Sequence, residues 1–210
     1  MVIANISVGV CYCSNINKMK INDVKKYIDL YDTEGYLFRV IGPKAKVRGY
    51  LLFDEFYKIC MWKSARPKQR YIKNKNTIER ISKEAFGKEG EGEKMEILCS
   101  LDGVSIPTAS ALLTVVYPEK YAVIDIRCLE TLRKEGCEIS KYPSPKTWLK
   151  YLETIRSWAE ENSITPREVD MALFAMHREY LEDGADYRNL YKTKSYGDAP
   201  IDASKEVKRN

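Results

Sequence analysis

Apolar residues that recur at every third or fourth position constrain this chain more than any other feature of its sequence. The longest such stripe falls in a helix predicted for residues 145–161, and its members are Trp148, Leu149, Leu152, Ile155 and Trp158. A second helix is predicted to begin near Pro166, and its stripe consists of Val169, Leu173, Met176 and Tyr180. Because this spacing places the apolar side chains on one helical face, both helices are expected to pack against a common core.

The same spacing, with proline and glycine at the ends, predicts further helices. They cover residues 53–64, 77–86, 106–116 and 126–135, with one more near Met95 and a short one from Asn22 or Asp23 to about Tyr31. Two glycine-containing segments are predicted to be non-helical: residues 36–52 as turns and brief extended pieces, and residues 87–94 as a solvated loop. The predicted fold is therefore mainly α, with minor extended segments near the N-terminus.

The apolar stretch at residues 1–13 has two interpretations. It is either an added strand or part of an extension translated upstream of a start at Met19. It is short and lacks a basic leader, so it does not have the pattern of a secretion signal. No apolar run reaches the roughly 18–20 residues that cross a bilayer, and we expect no membrane partner.

The composition is that of a globular protein. Of the 210 residues, 44% are hydrophobic and 31% are charged, which suffices for one core or for two small lobes. We expect one compact helical unit over residues 1–192 and a polar tail over residues 193–210. The formal charge of +5 is compatible with a polyanionic partner.

The cysteines do not have the spacing of a metal site. They stand at positions 11, 13, 60, 99, 128 and 137, and the single histidine, His177, lies far from them in sequence. We therefore expect no metal and no cofactor, and reduced thiols in a cytoplasmic protein. His177 is predicted to lie on a helix surface without a chemical role, and Asp170 is predicted only to favour the start of its helix.

Residues 101–116 have the pattern of two helices joined by a tight turn. Gly103 permits a positive φ, Ser105 can cap the second helix, and Pro107 suits its first turn. Such a turn directs unpaired backbone N–H groups outward, where the helix dipole favours an anion such as a DNA phosphate. The alternative is an ordinary glycine turn that holds no ligand.

An acidic residue follows the next apolar run. Asp125 ends the sequence Tyr-Ala-Val-Ile-Asp and precedes the helix predicted for residues 126–135. Taken alone, it is an N-cap that satisfies helix amides. Taken together with the turn before it, it is also a candidate catalytic group.

The joint pattern of LDGVSIPTASALL, a proline, YAVIDIR and LETL resembles the helix-hairpin-helix DNA glycosylase superfamily. The match covers residues 101–132. The resemblance implies a two-lobed helical fold with the hairpin at about residues 95–117. It implies that Gly103, Val104 and Ser105 bind a DNA phosphate, and that a base is flipped out of the duplex. Asp125 would stabilise the cationic sugar or activate water.

Two departures from the superfamily bear on the reaction. Ser105 stands at the second glycine of the hairpin, although its backbone amide remains available. Pro107 stands where members that form an imine carry a lysine, which excludes an imine at that position. The resemblance therefore implies a monofunctional, hydrolytic enzyme.

A basic run with interleaved aromatic residues precedes the hairpin. Its members are Lys63, Arg66, Lys68, Arg70, Lys73 and Lys75, with Trp62 and Tyr71 among them. Lys63, Arg66, Lys68 and Arg70 are predicted to contact DNA, and Trp62 and Lys63 to line the base pocket. The alternatives are a solvated basic loop and a Trp62 that packs in the core. A further alternative gives Lys63 the role of a lyase amine.

The sequence thus predicts a monomeric, cytoplasmic DNA glycosylase that acts on double-stranded DNA at the nucleoid. A second hypothesis is a non-catalytic helix-hairpin-helix protein that binds duplex DNA without releasing a base. A third is a helical protein–protein module, which requires the hairpin turn to be buried against protein.

Overall fold

Nine α-helices form most of the chain described by the computed structural model, which covers the backbone of residues 35–182 and the side chains of residues 35–177. In chain order they are α1 (Gly42–Arg48), α2 (Phe53–Lys63), α3 (Lys68–Tyr71), α4 (Ile78–Gly87), α5 (Glu91–Cys99), α6 (Ile106–Val116), α7 (Ile126–Lys134), α8 (Pro145–Asn162) and α9 (Pro166–Glu182). A π-helical turn, Leu37–Ile41, precedes α1, and a 3-10 turn, Ile72–Asn74, follows α3. No strand occurs within residues 35–182, so the mainly α prediction is confirmed.

The helices predicted from apolar spacing between residues 53 and 161 are present; those with predicted bounds begin and end within one residue of them, and the helix predicted near Met95 begins at Glu91. The helix predicted for residues 106–116 has the predicted bounds, and those predicted for residues 53–64, 126–135 and 145–161 are α2, α7 and α8. The helix predicted near residue 22, the strand or extension at residues 1–13 and the tail at residues 193–210 lie outside the described residues.

The prediction of turns and extended pieces for residues 36–52 was wrong for most of that segment. It forms the π-helical turn and α1, and α1 ends at Gly49, where φ is +81°. Gly42 is buried where this helix crosses α6, and a Cβ there would lie 2.0 Å from the Val115 carbonyl oxygen. This glycine therefore serves a close helix crossing and not a turn.

The loop predicted for residues 87–94 is also shorter than expected, because α5 begins inside it. Glu91 and Glu93 stand in the first turn of α5, where carboxylates interact favourably with the helix dipole. The Glu91 carboxylate also accepts a hydrogen bond of 2.7 Å from the Arg156 guanidinium of α8. Both acidic residues therefore suit a helix start, and Glu91 also connects α5 with α8.

The core is built around α6, whose side chains from Thr108 to Val116 are all buried. Helices α1, α2 and α5 pack on α6, while α9 packs on both α7 and α8. Trp148 is fully buried and Trp158 is partly buried against the core, as predicted, but Leu149 is 44% exposed and does not belong to the buried stripe. Among the helices of residues 35–182, none has both the length and the apolar character of a membrane span.

Gly42→Ala tests the close crossing of α1 and α6. We expect a loss of about 1–3 kcal/mol in the free energy of unfolding, because the new methyl group collides with the Val115 backbone. Gly92→Ala is the matched control: this helical glycine faces open space, so alanine there should change stability by about 0–1 kcal/mol in the stabilising direction. Urea unfolding of both variants measures the difference, and equal effects would contradict the crossing.

Candidate functional site

The backbone of residues 121–125 is irregular in structure and largely buried, with no strand beside it in the described part of the chain. A buried peptide group without a partner is costly, so side chains must satisfy it. The Val123 N–H donates to the Asp170 carboxylate over 2.6 Å, and the Val123 carbonyl accepts from the Tyr151 hydroxyl over 3.0 Å. Helices α8 and α9 thus hold this segment from two sides.

A third bond connects the same segment to the hairpin's second helix. The Ile124 N–H donates to Ser110 Oγ over 3.1 Å, and that hydroxyl donates to the Pro107 carbonyl over 2.8 Å. Asp125 is the next residue, so its backbone position is determined by three helices that are distant in sequence.

Asp125 is both an N-cap and a member of an ion pair. Its Oδ1 accepts from the Arg127 N–H over 3.0 Å, which caps α7, and its Oδ2 accepts from Lys63 Nζ over 2.7 Å. The side chains are 20% exposed for Asp125 and 12% exposed for Lys63. The capping function predicted from sequence is confirmed, and a cation from α2 is added to it.

The charge of this carboxylate is stabilised by its neighbours. Burial by itself raises the pKa of Asp125, but the Lys63 ammonium and the Arg127 amide outweigh that effect. The pKa is lowered from 3.8 to about 2. Asp125 is therefore an anion at neutral pH and is partly shielded from water.

The predicted hairpin has the expected geometry at its glycine. Gly103 has a φ of +81°, and the Val104 N–H closes the turn on the Leu101 carbonyl over 3.1 Å. Ser105 stands at the N-cap of α6, but its side chain makes no capping hydrogen bond; its Oγ lies 3.4 Å from Thr108 Oγ1. The prediction that the Ser105 side chain caps α6 was therefore wrong, because the hydroxyl turns to another hydroxyl.

Asn74 fixes the hairpin turn and was missed in the sequence. Its Nδ2 donates to the Asp102 carbonyl over 2.9 Å, and its Oδ1 accepts from the Asp102 N–H over 2.8 Å. The side chain is only 3% exposed. These reciprocal bonds tie the turn to the 3-10 segment after α3, and no spacing in the sequence marks a contact between residues so far apart.

The basic run divides into a buried part and an exposed part. Lys63 contacts Asp125, whereas Arg66, Lys68 and Arg70 are exposed. Arg70 also stands beside the hairpin: its guanidinium lies 3.9 Å from the Asp102 carboxylate. Within the described residues, the side chains of Arg66 and Lys68 make no hydrogen bond or ion pair with the hairpin turn or with Asp125, so only their position in the sequence relates them to the site.

The two aromatic residues of this region lie against protein. Tyr71, which is interleaved in the basic run, is fully buried, and its hydroxyl donates to the Ser64 carbonyl over 3.1 Å, so its ring is not available to stack on a base. Trp62 is partly buried; its ring meets Phe38 edge-on at 6.0 Å, and the Arg167 guanidinium lies 5.7 Å from its centroid. These contacts agree with the alternative in which Trp62 packs in the core.

A buried ion pair on α9 supports the site. Asp170 is 2% exposed and Arg167 is 5% exposed, and their side chains are hydrogen-bonded. Asp170 therefore does more than favour a helix start, because it also holds the Val123 amide. The burial of Asp170 could have been predicted from the sequence, because Asp170 stands three residues before Leu173 and so lies on the apolar face of the predicted helix.

His177 is likewise not a surface residue. It is 6% exposed, and its Nε2 lies 2.7 Å from the Glu130 carboxylate of α7. The prediction of a surface position was wrong because the face of α9 that carries His177 packs on α7.

The four cysteines within the described range, Cys60, Cys99, Cys128 and Cys137, are free thiols, and no group of three or more metal-ligating side chains comes together there.

Comparisons with other proteins do not add to this description. No protein-family model matches the chain, and no curated protein or solved structure is similar to it.

Asp170→Asn tests the support behind the site. We expect the free energy of unfolding to fall by about 3 kcal/mol, because the substitution leaves the buried Arg167 charge without this carboxylate. The control is Glu119→Gln, which breaks an exposed pair with Lys46 and should cost less than about 1 kcal/mol. Urea unfolding gives both values; a loss at Asp170 no larger than the loss at Glu119 would contradict the structural role.

Asp125→Asn should destabilise the protein in a pH-dependent manner. The folded pKa of about 2 lies below the ordinary 3.8, so the ionised carboxyl contributes stability above pH 3.8 that is lost as the pH falls through 2. The contribution amounts to about 2 kcal/mol at pH 7 and about half of that at pH 3. Unfolding at pH 7, 5 and 3 measures it, and a difference between variant and wild type that does not change with pH would contradict the depressed pKa.

Proposed function

We propose that the protein is a helix-hairpin-helix DNA glycosylase that releases a damaged or modified base by hydrolysis, with Asp125 as its catalytic group. The two-lobed arrangement of that superfamily, the base pocket at Trp62 and Lys63, and the duplex DNA partner belong to the same proposal. The observation that carries it is the short span between Lys63 and Arg70. Its first residue contacts Asp125, and its last lies beside the hairpin turn at Asp102.

The hairpin end of this span supports phosphate binding. Gly103 adopts a positive φ, and the start of α6 has no side-chain cap, whereas Asp125 and Ser144 cap α7 and α8. An uncapped helix N-terminus presents amide groups and a partial positive charge to an anion. Arg66, Lys68 and Arg70 are exposed in the chain segment before it and add charge that attracts DNA phosphates.

The other end of the span supports sugar chemistry. As an N-glycosidic bond breaks, positive charge develops at C1′ of the sugar, and a fixed carboxylate in a partly dehydrated position stabilises it. A group with a pKa of about 2 is a weak base at neutral pH, so Asp125 is suited to stabilise charge and less suited to remove a proton from water. Of the two roles expected for this aspartate, charge stabilisation is the one we propose.

A non-catalytic DNA-binding protein is the second candidate function. The observation in its favour is that both Asp125 oxygens are engaged, one by Lys63 and the other by the Arg127 amide. In that case the carboxylate has a structural role, and the hairpin and basic residues bind duplex DNA with an affinity that falls as salt increases. This candidate predicts DNA binding without release of any base.

Base release decides between the two. Duplexes carrying uracil, alkylated purines, 8-oxoguanine or a mismatch are incubated with the protein, and abasic sites are then cleaved with alkali. We expect strand breaks at one class of lesion, and Asp125→Asn should slow release by about 10²–10³-fold because the charge opposite C1′ is lost. Asp54→Asn, an exposed aspartate in the first turn of α2, is the matched control and should retain the wild-type rate.

Two results would count against the glycosylase. Duplex binding with no base release from any substrate favours the non-catalytic candidate. Base release that persists at the wild-type rate in Asp125→Asn removes Asp125 from the reaction.

A further inference from the structure

We propose that a second surface of this protein, remote in sequence from the hairpin, binds single-stranded nucleic acid. It is formed by Lys141, Tyr142, Lys146, Leu149 and Lys150, all of which are exposed, and we call it the lysine–tyrosine surface. The proposal does not depend on the glycosylase, because it requires neither the hairpin turn nor the acidic N-cap of α7.

The charged side chains of this surface are all cations. Residues 139–152 contain three lysines and no acidic residue, and the nearest acids along the chain, Glu138 and Glu153, lie just beyond its two ends. Within the described part of the chain, the three ammonium groups make no hydrogen bond or ion pair. Their charge is therefore balanced by counterions from solution, and a polyanion that displaces those ions gains affinity from their release.

The lysines of α8 stand where the helix dipole disfavours them. Lys146 lies in the first turn and Lys150 in the second, while Glu160 and Glu161 lie in the last turn, so the charges oppose the dipole at both ends of the helix. Ser144 already caps the first turn, which leaves recognition at this end to the side chains. Residues that oppose the local stability of an element are expected where a binding site requires them.

Helical spacing places the α8 residues of the surface on one face. Lys146, Leu149 and Lys150 occupy positions i, i+3 and i+4, whereas Trp148 and Tyr151 are buried on the opposite side. Leu149 is 44% exposed, so the face combines an apolar group with two cations. Both kinds of group have a partner in a nucleic acid strand, where phosphates alternate with sugars and bases.

Tyr142 is presented by a restrained loop. Its backbone N–H donates to Ser140 Oγ over 3.2 Å, and Pro143 and Pro145 fix φ at two of the next three positions. The residue is 64% exposed, and the Lys141 ammonium lies 4.9 Å from the centroid of its ring. An exposed ring on a fixed backbone can stack on a base with little loss of conformational freedom.

This ring favours a single strand over other polyanions. The bases of a duplex stack on one another, whereas an unpaired base offers a free face to an aromatic side chain. An anionic lipid surface would also attract the lysines, but Leu149 is the only aliphatic side chain that this surface offers for insertion into a bilayer. The combination of lysines with one restrained tyrosine therefore points to single-stranded nucleic acid.

Reversal of the two α8 lysines tests the contribution of charge. Fluorescence anisotropy measures binding of the full-length protein to a labelled oligothymidine of about twelve nucleotides. The double variant Lys146→Glu, Lys150→Glu should bind at least about tenfold more weakly at about 0.1 M salt. The plot of log K against log salt should become less steep by about 1.4, because each phosphate contact on a single strand contributes about 0.7.

A charge-matched control separates this surface from net charge. Lys83 lies in α4 and Lys88 directly follows it, and both are exposed. The double variant Lys83→Glu, Lys88→Glu changes the net charge by the same amount, and at about 0.1 M salt, where distant charges are screened, it should change the affinity by less than about threefold.

Substitution of Tyr142 tests the stacking. Tyr142→Ala should weaken binding to the oligothymidine by about fivefold or more, because the ring is lost, and should leave the affinity for a duplex of the same length unchanged. Tyr142→Phe keeps the ring and should bind the oligothymidine as the wild type does.

Urea unfolding tests whether the lysines serve binding or folding. A carboxylate in the first turn suits the helix dipole, so Lys146→Glu should unfold at the same urea concentration as the wild type or at a higher one, although it binds the oligothymidine more weakly. A lower midpoint would show that Lys146 stabilises the fold and would count against the proposal.

Three binding results would overturn the proposal. They are no binding of oligothymidine by the wild type, an equal effect of the two lysine double variants, and undiminished binding by Tyr142→Ala. Vesicles of phosphatidylserine and phosphatidylcholine provide the remaining comparison: vesicle binding that is lost in Lys146→Glu, Lys150→Glu while oligothymidine binding persists would assign the surface to a membrane. Since none of these measurements involves base release, the glycosylase is decided separately by the alkali assay.

Discussion

The irregular backbone at residues 121–125 runs through the core without a strand beside it among residues 35–182, and the need to satisfy its polar groups shapes the surrounding structure. Asp170 accepts the Val123 N–H, which brings a carboxylate into the interior. That charge requires a buried counterion, and Arg167 supplies it. The Arg167 guanidinium in turn lies over the Phe38 ring at 4.8 Å and near Trp62. The need of the Val123 N–H for a buried acceptor thus leads to contacts that connect α9 with the end of α2 and with the N-terminal π-helical turn.

Two ion pairs of the molecule differ in the environment that surrounds them. Arg167 and Asp170 are almost completely buried, and separating them would expose two charges to an apolar interior. Lys63 and Asp125 are 12% and 20% exposed, so water or a polar ligand can replace either partner with a smaller desolvation penalty. The first pair is suited to hold the backbone in position. The second is the easier one to separate, as the proposed function requires.

Local patterns predicted the helices and part of the site, while contacts between distant residues could not be predicted. Apolar spacing located α2, α6, α7 and α8, because helical periodicity is a property of a short window. Glycine was ambiguous: it marks a turn at Gly103 but a helix crossing at Gly42, and only packing distinguishes them. Asn74 and Asp170 act on backbone groups 28 and 47 residues away. Such partners are determined by the folded arrangement, which no window of sequence contains.

The reciprocal bonds of Asn74 with Asp102 bear on how the proposed DNA partner would be bound. Because they join the hairpin turn to the segment that follows the basic run, the amide groups and the neighbouring cations form one body before any ligand arrives. Ordering of the turn then takes place during folding of the chain and not during association. Under the proposed function, recognition is a fit between two preformed shapes, and a duplex whose phosphate spacing differs from this template would bind more weakly even where its charge is the same.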